Sequence, residues 1–241
     1  MKHSSLDRLR QRKHLVLLLT LVSTIVVQPL ARRFLAGLVI YDGLRTLVVL
    51  TVLFIVFQRR RNRLVALVIG LPVLAGNWAP YILPDRFEAA SGVIHHSFQV
   101  AFLGFAVATI LRDILERKVV RADDVIGAIC GYLLAGIVWG NLYLLVELFS
   151  PGSFSVRQAM AGQLANRYAR QSLFADYSFV TLTSLGSGDV TPSSSPATSL
   201  TWLEAMFGQF YIAVIVAQLV GLRLAQALQQ KDPKSERRPD V

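Results

Sequence analysis

The stretch Thr181-Leu-Thr-Ser-Leu-Gly-Ser-Gly-Asp-Val-Thr-Pro192 sets hydroxyls, two glycines and a carboxylate between two strongly apolar runs. Two kinds of chemistry suit these residue types. In the first, the backbone is the reagent: consecutive carbonyl oxygens facing a water-filled axis replace the hydration shell of a cation. Lining an axis in that way requires neighbouring residues to adopt unlike backbone conformations, and glycine supplies positive φ without steric cost. Gly186 and Gly188, spaced by one residue, meet that demand. In the second, Ser187 between them is a nucleophile, as in an intramembrane serine protease, and needs a base within hydrogen-bond reach. His95 and His96 are the candidate bases, both precede Ser187, and no histidine follows it. The nucleophile reading also leaves Asp189 and the Thr-rich approach without a role, so no catalytic residue is assigned and an enzyme is not expected.

The chain that must position this stretch has 241 residues, 54% of them hydrophobic and only 17% charged. Long apolar segments recur, which makes the expected fold class an all-α polytopic membrane protein. Six segments can each cross a hydrocarbon core, which takes about 20 helical residues. They lie near 14–31, 34–57, 64–83, 92–111, 125–149 and 197–224. The second is interrupted by Asp42 and Arg45, and the sixth is longer than a bilayer needs, so it tilts or continues into the cytoplasm. The basic cluster Lys2, Arg8, Arg10, Arg12 and Lys13 before the first apolar run resembles a signal peptide. The run is long, however, and Gln28-Pro-Leu-Ala-Arg32 offers no small-x-small cleavage site, so an uncleaved first span is expected. The single cysteine, Cys130, excludes an intrachain disulfide.

A formal net charge of +10 raises nucleic acid as a partner. The placement of the charges removes it. With the N-terminus inside, 18 Lys and Arg fall on the inner loops and tails and six on the outer ones, Arg32, Arg33, Arg86, Arg157, Arg167 and Arg170. This bias predicts a multi-pass protein of the plasma (cell inner) membrane with both termini cytoplasmic, and the lipid bilayer as the partner of the excess charge.

Residues 150–196 form the one long outer connection. Its run Leu173–Leu182 spans about three helical turns, too short to cross, and fits a re-entrant half-helix. Non-helical backbone at membrane depth is tolerated only when buried in protein or lining a water-filled cavity, which assigns Thr181–Pro192 to such a lining. The negative C-terminal end of the half-helix would favour cations there. No internal repeat is visible, so one chain supplies one loop, and no paired broken helices mark a transporter.

The twelve residues resemble the potassium channel superfamily signature, T-x-T-T-V-G-Y-G-D-x-x-P. Thr181, Thr183, Gly186, Gly188, Asp189 and Pro192 match it, Ser184 and Leu185 are conservative departures, and Ser187 replaces Tyr. The flanking segments "YLLAGIVWGNLYLLVE" and "LEAMFGQFYIAVIVAQLVGL" are similar to the pore-flanking helices of small prokaryotic members, so the resemblance covers about residues 124–228. It implies that the carbonyls of Ser184, Leu185, Gly186 and Ser187, with the Ser184 hydroxyl and Gly188, form a selectivity filter. Thr181, Thr183, Tyr177, Asp176 and Asp189 would support it. Gly208 falls where members often have a hinge glycine, although a glycine there equally suits close helix packing. One loop is a quarter of such a filter, so a homotetramer is implied, with permeant potassium, and sodium if the filter relaxes, in place of any cofactor. In the family the Tyr braces the filter from behind. Ser187 is too short for that, and Asp176 and Tyr177 stand where Trp is common. A potassium-selective filter with a different shell, a non-selective sodium and potassium channel, and a non-conducting regulatory subunit all follow from this departure. The implied division is a four-span domain over 1–122, a pore domain over 123–228 and a short disordered tail over 229–241, with no soluble ligand domain.

Outside the signature, Asp42 and Arg45 at i,i+3 read as a functional intramembrane pair or as a structural pair that neutralises itself so that the span can insert. Arg32 and Arg33 are expected to snorkel. His95 and His96, near the outer end of the fourth span, are packed or sense external acid. Trp78, Tyr81 and Trp202 read as interfacial anchors. Glu147, Asp176 and Asp189 could draw cations to the mouth, opposed by Arg157, Arg167 and Arg170. Glu204 is expected against the pore loop or a neighbouring subunit, and Arg112–Asp124 as a helix along the inner surface. The fourth span carries no Arg or Lys before Arg112, so it lacks the basic ladder that voltage sensing needs. A shallow conductance–voltage relation is therefore expected in planar bilayers, and a steep one would contradict the assignment.

Overall fold

The structure is a computed structural model that describes residues 13–31, 35–57, 60–82, 84, 87–116, 122–164 and 166–231. The described residues form helices α1 (Lys13–Ala31), α2 (Leu35–Ile55), α3 (Arg60–Trp78), α4 (Glu88–Leu115), α5 (Ala122–Phe149), α6 (Arg167–Leu182) and α7 (Ser195–Lys231). Five stretches, Gly37–Ile55, Asn62–Tyr81, Ala90–Leu115, Ala122–Phe149 and Ser195–Leu224, are long and apolar enough to cross a membrane; α1 contributes a shorter apolar stretch, His14–Pro29.

The architecture is almost wholly helical, but not entirely. Strands β1 (Phe154–Val156) and β2 (Val190–Pro192) pair antiparallel, with Val156 opposite Val190 and Phe154 opposite Pro192. The expected surface helix over Arg112–Asp124 is not a separate element: its ends belong to α4 and α5, and residues 117–121 lie outside the described ones. The last helix runs to Lys231, past the expected start of the tail at 229. The rest of the tail, the basic residues before Lys13, Arg32, Arg33 and Arg86 also lie outside the described residues.

α5 is the spine. It packs against α1, α4, α6 and α7, while α2 joins α1 to α3 and α3 leans on α4. Leu17, Leu21, Val52, Phe57, Phe102 and Leu134 lie in the larger apolar core, and Tyr143, Phe154, Phe174 and Tyr177 in a second one beside the β ribbon. Lipid offers no hydrophobic drive between helices, so close packing through small residues decides their approach. A Cβ on Gly140 would lie 3.0 Å from the Ala175 Cα, which brings the α5 and α6 backbones together.

Gly208 does the same for α7. A Cβ there would collide with the Leu182 carbonyl oxygen at the end of α6 and lie 3.0 Å from the carbonyl carbon. The close-packing role is thus occupied, and the helix is continuous through this point. Gly208→Ala must push the α6 and α7 backbones away from each other, an overpacking cost of about 1–3 kcal/mol that offsets the gain of about 1 kcal/mol from removing a helical glycine. Gly104 of α4 has open space where its Cβ would be. Thermal unfolding in detergent should show a lower midpoint for Gly208→Ala and an unchanged or higher one for Gly104→Ala.

Candidate functional site

α6 begins because Asn166 caps it: its side-chain oxygen accepts from the Tyr168 and Ala169 amides at 2.9 and 3.3 Å. It buries Leu173, Phe174 and Tyr177 on one face. Its other end is a Schellman closure, with Ser184 N–H donating to Thr181 O and Leu185 N–H to Val180 O, each at 2.9 Å. Ser184 takes the left-handed position usually given to glycine, with φ +56°. Its residue type does not mark that position as special.

Beyond it the backbone alternates in hand. Gly186 has φ +65° and Gly188 φ +69°, while Leu185 and Ser187 keep negative φ. Reversing hand at each residue undoes the rotation between successive peptide planes, so carbonyls can point to one side instead of winding round a helix. Thr183, Ser184, Leu185, Gly186, Ser187 and Gly188 are exposed in the single chain.

The expected supports divide into those near the loop and those elsewhere. Thr181 is buried, and the Thr183 hydroxyl turns back to the Phe179 carbonyl at 2.7 Å. Ser184 Oγ accepts from Gln209 of α7 at 3.0 Å. Tyr177 bonds the Thr201 hydroxyl at 2.9 Å and packs on the Tyr143 and Phe154 rings. It is thus tied to α7, not to Ser187, whose Oγ accepts only from the Asp189 amide, at 3.4 Å. Asp176 is exposed. Asp189 is held from outside by the ribbon: its carbonyl accepts from Arg157 N–H at 2.9 Å, and its carboxylate meets the Arg157 guanidinium at 3.0 Å. Arg157 therefore partners Asp189 instead of opposing it at the mouth.

Several groups acquire partners that types and spacing did not reveal. Glu204, 0% exposed, accepts from the Tyr143 hydroxyl of α5 and lies in hydrogen-bond contact with Ser178 of α6. The expected packing against the pore loop is thus packing against the helix behind it. Tyr132 donates to the Leu182 carbonyl at 3.1 Å. Glu147 accepts from the Gly152 and Phe154 amides, so it shapes the connection to the ribbon. Tyr81 is no simple interfacial anchor, because its hydroxyl donates to Asp42 at 2.9 Å. Trp202 is exposed as expected. The first-turn phenol of Tyr168 also donates to Asp42, at 2.8 Å, and burial holds it above its usual range. Arg45 meets Asp42 at 3.5 Å but also reaches His95 and Gln99 of α4 and Gln171 of α6. His95 is buried, and His96 Nδ1 is 2.7 Å from Asn141 Oδ1, which is the packed arrangement of the two. No contact joins either histidine to Ser187.

These features define an integral, multi-pass helical membrane protein with a short helix and polar loop held between its last two long helices. Residues 173–222 match a family model described as ion channel. The match falls on most of α6, the loop and most of α7; it supports an ion-channel pore in this segment and its potassium channel superfamily resemblance, and it indicates a channel rather than an enzyme. No curated protein and no solved structure matches the chain significantly.

Glu204 offers a direct check of how α5, α6 and α7 are held. Replacing it by Leu leaves the buried Tyr143 hydroxyl short of an acceptor, at about 1–3 kcal/mol, while Ser178 keeps the Gly136 carbonyl; Gln keeps an acceptor for Tyr143. The unfolding midpoint in detergent should fall clearly for Glu204→Leu and less for Glu204→Gln. Equal midpoints for the two variants would refute the bridging role.

Proposed function

We propose that the chain is the pore-forming subunit of a homotetrameric potassium channel in the plasma (cell inner) membrane, with six spans, cytoplasmic termini and α6 re-entrant. Passive flux would run past the carbonyls of Ser184, Leu185, Gly186, Ser187 and Gly188. The observation that carries this reading is the positive φ at every second residue, Ser184, Gly186 and Gly188. The helix closure accounts for the first of these, at Ser184, and not for the two glycines. Three in alternation suit a row of carbonyls presented to one axis, the arrangement that can replace a cation's hydration shell.

The exposed polar loop favours assembly, and the apolar face beside it suits another copy as well as lipid. The loop is exposed in one chain, and α7 leaves Leu203, Met206, Phe210 and Val214 uncovered on the helix that flanks it. Four copies round an axis would give both a partner surface. Gly208 would then serve close packing first, with any hinge motion secondary to it.

A non-selective sodium and potassium channel is the second reading. It is favoured by Ser187, whose side chain reaches only the neighbouring Asp189 amide and not the Tyr177 cluster. Reconstitution of the purified protein into planar bilayers tests both. Under bi-ionic conditions the reversal potential should follow the potassium gradient, and Ser187→Tyr should keep or sharpen that preference. Equal permeability in the native chain, sharpened by Ser187→Tyr, would establish the second reading in place of the first. Absence of any cation current from a protein of four-copy mass would overturn the conducting function altogether.

A further inference from the structure

A cavity of about 430 Å³ opens where α2, the end of α3, the start of α4, the end of α5 and the start of α6 meet. Among the described residues its charged lining is Asp42 against Arg45, Arg167 and Arg170, an excess of positive charge. Asp42 is saturated: Arg45, Tyr81 and Tyr168 all donate to it. The two terminal nitrogens of Arg45 are engaged as well, through Asp42, Gln171, Gln99 and His95.

The polar atoms left over are specific. A guanidinium can only donate, so His95 Nε2, 2.9 Å from Arg45, is an acceptor and the ring proton sits on Nδ1. Nδ1 is buried without a hydrogen-bond partner among the described residues, as are Arg170 Nε and Asn77 Oδ1. His95 is only 7% exposed and Asn77 only 2%. All three residues line this one cavity. Gly76 lets the His95 ring pack close against the α3 backbone, because a Cβ there would collide with Nδ1. The two orphaned N–H donors and the cationic excess ask for an anionic occupant, beside the positive end of the α6 dipole.

We propose that this cavity binds a phosphate-type oxyanion. Its oxygens accept from His95 Nδ1–H and Arg170 Nε–H while Arg167 balances its charge. The anion comes either as free phosphate or as the headgroup of an anionic phospholipid. Its occupancy would tie the first turn of α6 to α4, so it links an upstream helix to the segment that leads into the loop.

The test uses the purified full-length protein and reads thermal unfolding, which does not depend on conduction. Inorganic phosphate is titrated against chloride at constant ionic strength in detergent. In a parallel arm the protein is held in nanodiscs of phosphatidylcholine with or without phosphatidylglycerol. A saturable rise of the midpoint with phosphate identifies the free anion, and a rise only with phosphatidylglycerol identifies the headgroup. Arg170→Gln removes a charge-assisted donor and should weaken the response by about tenfold or more, while Arg223→Gln, on α7 far from the cavity, should leave it intact. If Arg170→Gln does not fold, Arg167→Gln decides in its place. A wild-type midpoint indifferent to both probes, meaning a cavity filled with water only, overturns the proposal. So does a response that the cavity variants retain in full.

Discussion

A helix that stops inside an apolar bundle leaves its last carbonyls without partners, and in this fold the end of α6 is where that problem must be solved. Val180 and Thr181 are satisfied by the amides of Leu185 and Ser184, Phe179 by Thr183, and Leu182 by the Tyr132 hydroxyl. Each solution dictates something else. The closure on Val180 requires left-handed backbone at Ser184, and that sets the direction in which the loop leaves. The Tyr132 bond fixes α5 beside the helix end. The bare surface of Gly208 lets α7 come up against the same carbonyl. The positions of three helices and the hand of the loop thus follow from a few orphan oxygens.

Buried polar groups flank α6 on both sides, and each side is tied to different helices. Toward α5 and α7, Glu204 joins Tyr143 and Ser178. Toward α2 and α4, the Asp42 and Arg45 cluster reaches Tyr168 and Gln171. Uncompensated charge is costly within a membrane protein, so these residues stay buried only if every helix that supplies a partner stays in place. They act as registration points more than as sources of net stability. Arg45 is the clearest case: its contact with Asp42 is the longest of its four, and its shorter ones reach α4 and α6.

The apolar spans and the polar interruption were legible because they rest on composition and on backbone rules that act locally. Gly186 and Gly188 were legible for the same reason, since positive φ selects for glycine. Ser184 was not, because a serine in that conformation is imposed by the helix closure and leaves no mark on residue type. Phe154–Val156 and Val190–Pro192 carry strand-type residues, but three residues are too few to signal a ribbon. Without its register, Arg157 cannot be matched to Asp189. Asp42 and Arg45 looked like an isolated pair because i,i+3 spacing is visible in a chain and contacts to Tyr168, 126 residues away, are not. Of the surface helix expected over Arg112–Asp124, the described ends belong to α4 and α5, because mixed apolar and charged residues also describe the ends of two long helices.

Ser187 changes meaning in this setting. The loop is gripped at its two ends and not from behind its middle. At one end stand the helix closure and the Gln209 bond to Ser184; at the other, the ribbon and the doubled Arg157–Asp189 contact. An exposed ion pair contributes at most about 1 kcal/mol, so the backbone bonds of the ribbon carry most of the outer grip. Between these points Leu185 is 77% exposed and Ser187 has only a local partner. In the proposed tetramer, other copies and the ions would supply the hold on the middle of the loop. Selectivity there would then depend on assembly more directly than in a loop braced by an aromatic side chain of its own subunit.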